Sequence, residues 1–157
     1  MKKITYREIK SLDIGILSDI ALCPDIQKLT IFAKASENGE APRSIFNALA
    51  LENNKINSVI KTYVIFEGHK YAGFMTKLRR ANELHLSYSV APTMRNRLIA
   101  ETAVHKMIKN LNEEDKKRVL KLSIASDNLS SIRVAEKLGF QLVGVNNETK
   151  MQVFSCQ

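Results

Sequence analysis

The sequence predicts an α+β domain, a mixed and mostly antiparallel sheet flanked by helices, and three observations carry that expectation. Residues 63–67 and 71–78 read as strands joined across Gly68-His69, and Ala81-Asn82 turns the chain into a third strand, so successive strands fold back on one another. A long helical pattern then separates the strand that ends at Pro92 from an apolar run at 119–126. Finally, the run 128–140, Asn-Leu-Ser-Ser-Ile-Arg-Val-Ala-Glu-Lys-Leu-Gly-Phe, couples a helix cap, an amphipathic helix, a glycine stop and a strand at fixed spacing. With 157 residues and 45% hydrophobic content, the chain can bury one sizeable core, and a single domain over 1–157 is expected.

Residues 3–9 open as a first strand. Helical patterns follow at 12–22, 25–36 and 44–53, separated by Pro24 and by the loop 37–42, which carries Gly39 and Pro42. The hairpin and the strand holding His85 come next, and then a helix from about 96 to 112. The strand at 119–126 leads to the helix capped by Asp127 or Asn128, with Ile132, Ala135 and Leu138 on one face and Gly139 as its left-handed stop. A hairpin with its turn near Asn146-Asn147 completes the chain. The basic clusters 77–80 and 116–118 read as a hairpin turn and a helix–strand connection, both solvated.

Chemistry enters at 84–100. A strand of alternating apolar and polar residues ends at Pro92, and a helix follows. The unpaired N–H groups of a first helical turn and the positive end of the helix dipole favour an anion, and Arg95 and Arg97 add mobile positive charge beside them. A pyrophosphate suits such a site.

These residues make the chain resemble the GNAT superfamily of N-acetyltransferases, in its branch of Rim-type enzymes that acetylate ribosomal-protein N-termini. In that family a strand ending in Val-x-Pro leads into an Arg/Gln-x-x-Gly-x-Gly/Ala turn whose amides hold the pyrophosphate of CoA. Here Val90-Ala-Pro92 is intact and the turn is Arg95-Asn-Arg-Leu-Ile-Ala100, with Leu98 at the central glycine and Asn96 at another position often held by glycine. A helical Leu98 still presents its N–H, since helical angles need no glycine. The resemblance implies the three-layer GNAT fold and acetyl-CoA as co-substrate. It places the pantetheine arm against the strand at Tyr88, Ser89 and Val90, and the pyrophosphate on Arg95, Asn96, Arg97, Leu98, Ile99 and Ala100. The 128–140 run fits the family's later motif, which carries CoA contact onto Asn128 and a position near the sulfur onto Ser131. Many relatives place a tyrosine general acid where this chain has Ala135, so the thiolate takes its proton from another group or from water.

Direct transfer needs an unprotonated amine, donors for the oxyanion and a proton sink. The glutamate site of the family falls on His85; an imidazole, with an ordinary pKa of roughly 6.5, accepts a proton near neutral pH. Glu83, on the same strand face, is the fallback base. Backbone N–H groups around Tyr88 and Val90 are the expected oxyanion donors, and Ser131 is the candidate proton donor. His69 and His105 fall in a turn and on an exposed helix position and are left out. Cys23 and Cys156 stand outside the motifs, so a covalent thiol intermediate, a disulfide and a metal site are not expected.

The N-terminus lacks the apolar core of a secretion signal, and no stretch approaches the roughly 20 apolar residues of a membrane span, so a cytoplasmic protein without membrane contact is expected. The net charge of +8 at pH 7 is dispersed and not interleaved with stacking aromatics, which argues against nucleic acid. Acetyl-CoA and an amine acceptor are the expected partners, with a homodimer as a further possibility, and 36–54 is the region expected to meet the acceptor. The alternative is a non-catalytic CoA-binding or protein/RNA interaction module on the same scaffold.

Overall fold

Alternating side chains and tight turns assemble a single seven-stranded sheet in the computed structural model, which describes residues 2–27 and 41–156. The strands are β1 (Ile4–Glu8), β2 (Ile60–Glu67), β3 (Lys70–Arg80), β4 (Glu83–Val90), β5 (Val119–Ile124), β6 (Gln141–Val145) and β7 (Gln152–Cys156). Their order is β1-β2-β3-β4-β5-β7-β6. All neighbours are antiparallel except β4 and β5, which run parallel because a helical crossover joins them. The expected mixed, mostly antiparallel sheet is present. Gly68, with φ of 60°, makes the β2–β3 turn, where Glu67 pairs with Lys70.

Helices cover both faces. A 3₁₀ turn (Ser11–Asp13) leads into α1 (Ile14–Ile20), then α2 (Pro24–Gln27) and α3 (Pro42–Asn53). Pro42 starts α3, where its missing N–H costs nothing, instead of closing a loop. Residues 28–36 of the helix expected at 25–36, and 37–40 of the loop after it, lie outside the described residues. α1 and α3 bury Ile14, Leu17, Ile45, Phe46 and Leu49 against Val64 and Phe74 on one face of the sheet. α4 (Ile99–Lys109) covers the other, where Ile99, Ala103, Val104 and Met107 pack on Met75, Leu84 and Leu86. After α5 (Glu113–Lys116) and β5, α6 (Leu129–Lys137) adds Ala135 to that second core. Of the two expected caps, Asn128 is the one used: its side chain accepts from Ser131 N at 3.2 Å, and Gly139 stops the helix with φ of 90°.

The basic cluster 77–80 is strand, not turn. Lys77 and Arg79 alternate onto one face of β3 and close on the fully buried Asp115 at 2.7 Å each. Burial alone would raise the Asp115 carboxyl, but hydrogen bonds from Arg79 and Lys77 outweigh it and hold the group below the usual carboxylate range. These cations are therefore committed within the fold. Among the described residues no helix is long and apolar enough to cross a membrane.

Candidate active site

β4 and β5 pair only from Glu83↔Val119 to Leu86↔Leu122, and beyond that point they part. The separation opens a cleft of about 650 Å³ between the continuation of β4, the end of β5, the N-terminus of α4 and the first turn of α6. Past Leu86, β4 keeps its antiparallel pairing with β3, so the main-chain groups on its other edge face the cleft without a partner strand. Every cofactor-binding candidate lines this space: residues 88–90, residues 95–100, Asn128 and Ser131.

The turn between β4 and α4 differs from the expected continuous helix. Residues 92–94 form a 3₁₀ turn, and α4 begins only at Ile99. Between them Asn96 and Leu98 both adopt left-handed backbone, with φ of 62° and 60°. The expectation of a helical Leu98 is therefore corrected: the residue keeps the positive φ that a glycine would take freely, at a cost of roughly 1–2 kcal/mol for a side-chain-bearing residue. Asn96 tolerates that region better than most residues. The first intrahelical bond of α4 runs from Thr102 N to Leu98 O, which leaves the N–H groups of Ile99, Ala100 and Glu101 without a helical acceptor. An anion at this end is favoured by those donors and by the helix dipole.

The two arginines behave differently. Arg95 is exposed, and its Nε donates to Val90 O at 3.2 Å, which ties the turn to the end of β4. Arg97 is not mobile charge. One guanidinium nitrogen sits 3.1 Å from Oε1 of Glu67 at the end of β2, a residue only 2% exposed, and the other reaches Met94 Sδ at 3.7 Å. Its charge is already matched by a buried carboxylate.

On the opposite wall, the Asn128 side chain accepts from Ser131 N and from Ser130 Oγ, both at 3.2 Å. Its carbonyl oxygen is occupied in capping, which leaves the amide NH₂ as the group that can meet a ligand. Ser131 faces the cleft, and its carbonyl accepts a 3.2 Å hydrogen bond from the Tyr88 hydroxyl. This bond ties β4 to α6 across the cleft. Burial pushes the Tyr88 hydroxyl up to about 12, although its bond to Ser131 works in the opposite direction, so the phenol stays protonated at neutral pH. Ala135 is fully buried in the core, so the first turn of α6 offers the cleft hydroxyls only from its serines.

His85 and Glu83 pair with each other, His85 Nε2 to Glu83 Oε2 at 2.7 Å. Leu84 and Leu86 point into the core, and His85 and Ser87 occupy the other face, as the alternation predicts. The cleft lining starts at Leu86 and Ser87 and includes neither His85 nor Glu83. When Nε2 carries the imidazole proton it donates to Glu83, leaving the Nδ1 lone pair as the basic site.

Two features of the site have no plain signature in the sequence. Nothing local to Glu67 marks a strand glutamate as buried. Gly73 has only an indirect one, an isolated glycine inside a strand, which often means close backbone approach. A Cβ there would lie 2.0 Å from Ser89 O, so this glycine lets β3 press against the cleft-forming end of β4.

A polyanion with an extended arm fits this arrangement: phosphates at the α4 N-terminus beside Arg95, and the arm along the open edge of β4. The sequence matches the acetyltransferase (GNAT) domain over residues 3–141. No curated protein matches it in sequence. The fold is similar to that of the RimL ribosomal L7/L12 alpha-N-protein acetyltransferase in an apo crystal form, with a TM-score of 0.82 at 14% identity, covering 99% of this chain and 91% of that one. It is also similar to a Salmonella typhimurium acetyl transferase that modifies the N-terminal serine of 50S subunit protein L7/L12, with a TM-score of 0.79 at 15% identity and coverage of 99% and 95%. A third similar structure is spermidine N-acetyltransferase from Vibrio cholerae in complex with CoA and spermine, with a TM-score of 0.74 at 14% identity and coverage of 97% and 92%. The splayed β4–β5 pair, the anion-ready start of α4 and the matched domain agree, and the chain belongs to the GNAT acetyltransferases, which take the acetyl group of acetyl-CoA to an amine.

Proposed function

We propose that this protein transfers the acetyl group of acetyl-CoA directly to a primary amine, either a protein N-terminus or a small amine. The observation that carries the reading is the parting of β4 from β5 beside the start of α4, which joins an anion site to an open strand edge. The acceptor class draws on the printed names of the similar structures, whose amines are a ribosomal-protein N-terminus and a polyamine. The non-catalytic alternative has no comparable support.

In this reading the amine nitrogen attacks the thioester carbonyl, the C–N bond forms, the C–S bond breaks, and the nitrogen loses one proton while the departing sulfur gains one. Main-chain N–H groups on the open edge of β4 stabilise the oxyanion. His85, held by Glu83, takes the proton from the amine through a water molecule, since it lies just short of the cleft lining. The Ser131 hydroxyl hydrogen-bonds the departing sulfur and relays to it a proton drawn from solvent, so the serine ends the step protonated, as it began. No thiol of the chain becomes acylated. The reaction belongs in the cytoplasm.

The test is release of free CoA thiol from acetyl-CoA with a panel of peptide N-termini and polyamines. At least one class should give turnover, and His85→Ala should lower it by about a hundredfold without weakening CoA binding, as expected for a positioned base. A protein that binds CoA yet acetylates no amine at any pH would refute the reading.

A further inference from the structure

Two non-glycine residues in left-handed conformation within three positions require a cause, and the residue between them supplies it. Asn96 and Leu98 flank Arg97, whose guanidinium is 3.1 Å from the Glu67 carboxylate. Glu67 is a rigid post: it pairs with Ile4 of β1 on one side and with Lys70 of β3 on the other. It is 2% exposed, and its second oxygen, Oε2, has no hydrogen-bond partner among the described residues. A carboxylate so placed is costly unless a cation reaches it, and Arg97 is the cation that does. The attraction pulls Arg97 down toward β2, and Met94, 7% exposed, and Ile99, 2% exposed, anchor the chain on either side. Backbone in sparsely populated regions persists only when its surroundings over-determine it, and these three anchors do so.

The geometry points to Glu67 as a positioning residue for acetyl-CoA. Through its ion pair with Arg97 it holds residues 96–98 in the left-handed turn that opens the first amides of α4 to the pyrophosphate, replacing the conformational freedom that glycines would provide. Arg97 is thereby a strut of the turn, and Arg95 is the arginine at the anion. This inference rests on the CoA-binding reading above, but its structural half concerns the ligand-free protein.

The experiment compares wild type, Glu67→Gln, Arg97→Gln and Glu67→Gln/Leu98→Gly by NMR without ligand and by CoA calorimetry. Backbone carbon shifts and the HN–Hα coupling report φ at Asn96 and Leu98. Breaking the pair should erase the left-handed signature at both residues and lower CoA affinity about tenfold or more, the loss expected of one charge-assisted interaction. Adding Leu98→Gly to Glu67→Gln should recover most of that affinity, since glycine enters the turn unaided. Because the Arg97 side chain is 49% exposed, Arg97→Gln breaks the same pair from the solvent side even if the buried substitution fails to fold. Retention of the left-handed signatures in either single variant overturns the inference, as does an affinity loss that Leu98→Gly leaves uncorrected. A wild type that shows the signatures but binds no CoA would defeat the functional reading, and the ligand-free spectra would still decide the role of Glu67.

Discussion

Gly73→Ala offers a sharp test of how the cleft wall is built. The added Cβ would stand 2.0 Å from Ser89 O and 3.0 Å from both Ser89 C and Val90 Cα, and all three obstacles are backbone atoms that cannot swing aside. Relief requires the end of β4 to retreat by about 1 Å in a close-packed interior. Overpacking of this kind costs about 1–3 kcal/mol. The retreat also stretches the 2.7 Å hydrogen bond from Ala91 N to Ala72 O, a loss of about 1 kcal/mol. Against this, alanine restricts the unfolded chain and returns about 0.4–1 kcal/mol. The net expectation is destabilisation by about 1–3.6 kcal/mol, which for a chain of this size lowers Tm by about 2–14 °C. Because Arg95 is tied to Val90 O, CoA affinity should fall with the same displacement. The control is Gly144→Ala in β6, where a Cβ meets nothing within 4 Å; that variant should melt within about 0.5 kcal/mol of wild type. Thermal melts and CoA calorimetry on both variants decide the matter. If the two alanine variants melt together and bind CoA equally, the close approach of β3 to β4 is not what shapes the wall.

Arg95→Glu should weaken CoA binding about tenfold or more by calorimetry, because a charge-assisted hydrogen bond is worth roughly 1.5–3 kcal/mol and the reversed charge repels. Ser131→Ala is a clean probe because the contacts of Ser131 with Tyr88 and Asn128 both use its main chain; steady-state kinetics should show kcat falling more than CoA affinity if the hydroxyl protonates the sulfur, and equal losses would leave it a binding group only. Asp115→Asn should cost about 3 kcal/mol at neutral pH by leaving Lys77 and Arg79 without their buried partner. The Asp115 carboxyl is held below its ordinary range in the fold, so its contribution is fully present above the unfolded pKa of roughly 3.9 and is lost as pH falls through the folded value. The gap between mutant and wild-type melting temperatures should therefore close below about pH 4, and a gap independent of pH would show that shape, not charge, is what the substitution removes.

What the chain states locally is legible without a structure. Asn128 and Gly139 bound α6 because a cap and a left-handed stop act within one turn, and the Gly68-His69 hairpin and the alternation of β4 depend on neighbours a few residues away. The stretches 88–90 and 95–100, with Asn128 and Ser131, are likewise contiguous or close in sequence, and they line the cleft. The tertiary structure decided the rest, because those choices depend on partners distant in sequence. Lys77 belongs to Asp115, 38 residues on, so a basic cluster that reads as a solvated turn is the end of a strand. Tyr88 reaches across 43 residues to Ser131, and His85 stops one residue short of the cleft because β4 and β5 part only after Leu86. Local propensity at Leu98 favours a right-handed helix, yet the fold brings a buried Glu67 within reach of the neighbouring Arg97 and turns that residue the other way. A sequence lists its preferences one residue at a time; an ion pair between separate elements can outweigh one of them, and here it does so at the turn that lines the cleft.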